Sequence, residues 1–196
     1  MNLAFDICTG VGVAAAVGVR PFLPALAVGA LGAGDVQIDF VHSDFSFLQS
    51  APFLLVMAIA AVVLAAIERR LGRERLDAGP IAAAVSLTAL AVGALLFAGS
   101  LGGDHHPYWP GLIGGALCAA VGVIATRPLL ARVRARLDAE SATALPLFAE
   151  AAALLGAVLS VLLPPVGILV LVLLLWLLIA GRGRGEQKYA GLRILR

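Results

Sequence analysis

Residues 10–34 read GVGVAAAVGVRPFLPALAVGALGAG. A run this long and apolar is what a bilayer-spanning helix needs, about 20 residues. Yet Arg20, Pro21 and Pro24 stand in its middle. Neither proline has a backbone N–H, so the carbonyls of Val17 and Arg20 lose their usual helical donors. Proline also favours the first position of a helix. The stretch therefore predicts one helix ending near Gly18 and a second starting at Pro21. The second half-helix would present free N–H groups and its positive dipole end inside the membrane, beside the Arg20 guanidinium. A guanidinium next to a helix N-terminus is an anion-binding arrangement on two counts.

Composition sets the frame for that break. Hydrophobic residues make up 61% of the chain and charged ones 13%, with a mean hydropathy of +1.02. Soluble domains carry roughly 45–50% and about 25%. The 196 residues are thus read as a single all-α integral membrane domain, with no length left for a separate soluble one. The lipid bilayer is the certain partner; a homo-oligomer or another membrane protein is compatible, and no nucleic-acid surface is indicated. Cys8 and Cys118 both fall in apolar runs without a CxxC partner, which reads as small buried hydrophobes and not as a disulfide or metal site. The N-terminus has Asp6 and no Lys or Arg before its apolar run, so the first helix is expected to be retained and not cleaved as a signal.

Apolar runs at about 3–33, 49–67, 78–101, 109–131, 143–163 and 165–180 give six transmembrane helices, the first of them broken at Arg20–Pro24. The runs are continuous and rich in Ala and Leu, without the alternation of barrel strands. Basic residues cluster in alternate loops: Arg69, Arg70, Arg73 and Arg75, then Arg127, Arg132, Arg134 and Arg136, then Arg182, Arg184, Lys188, Arg193 and Arg196. The opposite loops hold Asp35, Asp39, Asp44 and Asp104 and no Lys or Arg. By the positive-inside rule this predicts a multi-pass protein of the cytoplasmic (inner) membrane with both termini cytoplasmic.

The two halves echo each other. AAAVGVRPFLPALAV in span one is similar to CAAVGVIATRPLLARV in span four, and SAPFLLVMAIAAVVLAAI to TALPLFAEAAALLGAVLSVL. A three-span unit leaves the chain on the far side, so a second copy would be inverted. The expectation is two inverted three-helix repeats, about 1–103 and 104–185, followed by a basic tail over 186–196. Sites in such proteins lie where the repeats meet. Small residues at four-residue spacing support close packing of the first helices: Gly10, Ala14 and Gly18, then Ala25, Gly29 and Ala33, and in span four Gly114, Cys118, Gly122 and Thr126.

A charge at the bilayer centre costs about 2.5–3.5 kcal/mol on insertion scales, so Arg20 needs a partner, a wet cavity or a route to the surface. Three readings are open. Arg20 pairs with Glu150, the one acidic group well inside a span; or it binds an anion; or it snorkels to the outer surface. Candidate binding residues are Arg20, Gly18, Pro21, Phe22, Glu150, Thr126 and Arg127. Arg127-Pro128 matches Arg20-Pro21 in the second half but also suits a positive-inside anchor. Glu68, beside Arg69 and Arg70, reads as a solvated boundary residue. His105 and His106 follow Asp104 in an outer loop and lack further metal ligands. No histidine lies at membrane depth, and no nucleophile, base or metal constellation is present. The expectation is therefore a non-enzymatic chain with no metal and no cofactor. The function is read as a transporter or channel for a small anion or anionic lipid head group; the alternative is an accessory or scaffold protein in which the Arg20–Glu150 pair is structural.

The pattern G-x-R-x-x-x-P at Gly18, Arg20 and Pro24, the aromatic loop FVHSDFSF, the glutamate closing span two and GLIGGALCAAVGVIATRPL carry a resemblance over essentially the whole chain. They resemble a family of small bacterial membrane proteins known as a domain of unknown function. Gly111, Gly115, Thr126, Arg127 and Glu150 are its other specific positions. The resemblance implies an aspartate soon after the span-two glutamate and a Ser-x-x-Glu-Asp-like segment in span five; here the sequence reads RRLGRER and PLFAEA instead. It implies architecture and no activity.

Overall fold

A computed structural model describes residues 3–38, 40, 43–71, 79–101 and 108–190. Asp39, Arg73, Arg75, Asp104, His105, His106, Arg193 and Arg196 lie outside the described residues. The elements are α1 (Leu3–Val19), α2 (Phe22–Ala33), a 3-10 turn (Ser46–Gln49), α3 (Ala51–Leu71), α4 (Pro80–Leu101), α5 (Trp109–Arg134), α6 (Ala139–Leu162) and α7 (Pro164–Ala190). Five of these helices, α3 to α7, are long and apolar enough to cross a membrane, and α1 and α2 are shorter apolar helices.

The break falls where the prolines put it. Arg20 N–H still donates to Ala16 at 3.2 Å, but Pro21 has no hydrogen to give and α1 stops. Pro24 lies in the first turn of α2, where a missing N–H costs nothing. What the chain does next differs from a broken span. Gly10 abuts Phe97 and Ser100, and Gly93 lies near Ala14, so α1 runs antiparallel to α4. Gly29 then packs on Leu48 and Leu54, and Gly32 on Phe40, whose ring also meets Gly99 near the end of α4. The chain thus reverses at Arg20–Pro21, and α2 climbs back toward the end from which α1 descended. The two segments form a helical hairpin with Arg20 at its vertex.

That reversal changes the topology. Gly167, at the start of α7, packs on Cys8, and Gly181, near its other end, meets Arg132 of α5. The first residues of α1 and the last of α7 therefore lie at opposite ends of the bundle, not at the same end as six spans require. The physical reason is parity: the hairpin adds one passage. It also alters the repeat. The echoed segment of span one is shared between α1 and α2; α1 crosses α5 at Ala15, Gly18, Ala119 and Gly122 and runs in the same direction. An inverting axis cannot relate α1 to α5, whereas α2, α3 and α4 run oppositely to α5, α6 and α7 in turn.

α1 is the axial helix. Val13, Ala14, Ala15, Ala16 and Val17 are all fully buried, between α4, α5, α6 and α7. A Cβ on Gly18 or Gly122 would run into the backbone of the other helix, so glycine sets how closely the axes approach. α3 is the outlier. It packs chiefly on α2 and the 3-10 turn, and only 6% of its apolar window is buried against protein, compared with 39% for α4. The remainder is apolar surface suited to lipid.

Candidate functional site

Arg20 sits at the hairpin vertex, where three elements converge. Its Nη1 donates to Glu68 Oε1 on α3 at 2.5 Å, and its Nε lies 3.6 Å from Glu150 Oε2 on α6. Side-chain exposures are 13%, 17% and 21% for Arg20, Glu68 and Glu150, so all three are largely removed from solvent within the protein alone. The Glu150 carboxylate also interacts with the backbone N–H of Leu23 in the first turn of α2. The half-helix N-terminus and guanidinium, expected to face an anion, thus face two carboxylates of the same chain.

Two sequence expectations change here. Glu68 is not a solvated boundary residue; it is the nearest partner of Arg20. Its place in the last turn of α3, rather than at the loop, carries it back one turn into the bundle. Arg20 is not at the centre of the bundle either. It lies level with Ala82 and Ser86, close to the start of α4, and so toward the end that carries the basic residues. Snorkelling toward the acidic loops is thereby ruled out by direction.

Arg20 separates two clefts. One, between α3 and α6, has a volume of about 220 Å³ and is lined by Arg20, Glu68 and Glu150 with the apolar Phe22, Leu64 and Pro146. The other lies against α4 and α5, has a volume of about 110 Å³, and is lined by Gly18, Arg20, Pro21, Ser86, Thr126, Arg127 and Arg134. Leu64 of α3 borders both. The structure thus divides the sequence-derived candidates: Phe22 and Glu150 line the first cleft, and Gly18, Pro21, Thr126 and Arg127 line the second.

The second cleft has its own internal bonds. Arg127 Nη2 donates to the Ala82 carbonyl at 2.7 Å and to Ser86 Oγ. The Ser86 hydroxyl donates in turn to Ala82 at 2.7 Å. Arg127 therefore braces α5 against the first turns of α4, where carbonyl acceptors are reachable. Thr126 is buried, donates its hydroxyl to the Gly122 carbonyl at 2.6 Å and lines the cleft. Ser86 and Arg134 were not among the candidate binding residues read from sequence. A lone serine in an Ala-rich helix and one arginine among several in a basic loop carry no spacing signal. Cys8 and Cys118 are free and half-buried. Among the described residues no group of three His, Cys, Asp or Glu side chains is placed to hold a metal.

The fold and its charges define a multi-pass helical membrane protein with an arginine–carboxylate cluster inside the bundle. The chain belongs to the family described as Domain of unknown function (DUF4126), which it matches over residues 7–182. No curated protein and no solved structure matches it.

Proposed function

We propose that this chain is a small, non-enzymatic membrane transporter that binds a phosphate-type anion, free or as a lipid head group, in the cleft between Arg20 and the α4–α5 pair. The observation that carries the reading is that three guanidinium groups, Arg20, Arg127 and Arg134, line one cleft whose other walls, among the described residues, hold no carboxylate. Arginine suits this task because its planar fork offers paired donors to oxyanions and keeps its charge at any working pH. Ser86 and Thr126 add hydroxyls to the same wall. The cleft lies toward the basic end, which the positive-inside rule places at the cytoplasm. Its border at Leu64 of the loosely packed α3 offers a lateral route for a head group.

Binding of inorganic phosphate and of short-chain phosphatidylglycerol to the purified protein, each by titration calorimetry, separates the free from the lipid-borne ligand. Arg127→Gln is expected to weaken whichever binds by at least tenfold, since a charged hydrogen bond to a ligand is worth roughly 1.5–3 kcal/mol. Unchanged affinity in that variant would remove the reading. A second reading, a scaffold protein, is favoured by the two bonds that tie Arg20 to α3 and α6. It predicts no ligand at either titration and a large stability loss on removing Arg20.

A further inference from the structure

The cluster at the hairpin vertex does not balance. One guanidinium faces two carboxylates, so ionised Arg20, Glu68 and Glu150 together carry one net negative charge. The two bonds are unequal, 2.5 Å from Nη1 to Glu68 and 3.6 Å from Nε to Glu150. Arg20 also borders the arginine-lined cleft on its other side. A guanidinium has five N–H donors, so it can turn about the Glu68 bond, offer donors to the α4–α5 cleft and give up Nε–Glu150. Glu150 would then have no cation beside it among the described residues. Among the described residues the groups that face it are Arg20 from the α1–α2 vertex, Glu68 from α3 and the Leu23 N–H from α2. Phe22, Leu64 and Pro146 complete its surroundings and bring no charge.

We propose that Glu150 is a proton-binding site coupled to the anion site, so that one proton is taken up when the anion arrives and released when it leaves. The proposal rests on the anion reading above. The steps balance without any redox partner. The incoming anion takes the Arg20 N–H donors, and a solvent proton forms an O–H bond on the Glu150 carboxylate. On departure Arg20 returns to Glu150 and that O–H bond breaks, returning the proton to water. For a singly charged anion the loaded and empty clusters then carry the same net charge, which removes the cost of moving a net charge within the membrane. Glu68, the shorter contact, is the pivot.

Titration calorimetry of the purified protein with short-chain phosphatidylglycerol and with inorganic phosphate, repeated in buffers of different ionisation enthalpy, counts the protons. Wild type is expected to take up close to one proton per ligand bound, and its affinity to rise about tenfold per unit fall in pH wherever Glu150 is ionised in the free protein. Glu150→Gln should bind with only the ligand's own proton balance and lose the pH dependence. Glu150→Asp should retain uptake, which guards against a merely misfolded variant. Binding by wild type without proton uptake, or uptake persisting in Glu150→Gln, overturns the coupling and leaves the anion reading standing. Absence of binding to either probe overturns the anion reading, and the coupling falls with it.

Discussion

Replacing Arg20 by glutamine removes the cation that lies between Glu68 and Glu150 and leaves two carboxylates facing each other. At an effective dielectric of about 20, unit charges at 2.5 and 3.6 Å attract by roughly 7 and 5 kcal/mol before desolvation is counted. Desolvation offsets most of that gain in the intact cluster, yet removing one partner of a buried pair costs about 3–5 kcal/mol because the other charge stays behind. The three side chains keep 13–21% exposure, which places Arg20→Gln near the lower figure, about 3 kcal/mol. Neutralising the carboxylates as well separates charge from packing. The triple variant Arg20→Gln/Glu68→Gln/Glu150→Gln should recover most of the loss, since no uncompensated charge remains. Reversible unfolding in mixed micelles, followed by circular dichroism, supplies the free energies. Arg20→Gln within about 0.5 kcal/mol of wild type would refute the cluster's role. A triple variant as unstable as Arg20→Gln would show that the arginine stem, and not its charge, is what matters.

Tags at the two termini, tested by protease protection in sealed vesicles, should be cleaved from opposite sides of the membrane; cleavage from the same side would overturn the α1–α2 hairpin. Gly18→Val should destabilise by about 1–3 kcal/mol or more, because its Cβ would come within 2.8 Å of the Ala119 Cα and backbone cannot step aside. Val62→Ala, at a side chain of α3 that is 70% exposed, is the control and should shift the unfolding midpoint little.

The break in residues 10–34 was legible because proline acts locally: a missing N–H ends a helix whatever surrounds it. The direction of the chain after the break was not. A straight continuation and a hairpin use the same φ and ψ in α2, and only packing of Gly29 on Leu48 and Gly32 on Phe40 selects the hairpin. That one reversal decides at which ends of the bundle the first and last helices begin and finish, since it changes the number of passages. The glycine faces were legible for a similar reason: small residues are needed wherever backbones touch, and Gly18 and Gly122 meet across α1 and α5. The face of Gly10 found α4 instead, a choice that spacing does not encode.

The charges divide in the same way. Sequence alone determined that the chain is a helical membrane protein, that its basic residues cluster in alternate loops, and that Arg20 within an apolar run must be answered by something. It did so because hydropathy and the energy of a charge in lipid depend on composition and position along the chain. Which group answers Arg20 was decided by tertiary structure. Glu68 is 48 residues away, at the end of a helix whose rotation and depth are fixed by α2. The 2.5 Å bond exists because the hairpin brings Arg20 down to that level, and no local pattern in the sequence records that depth.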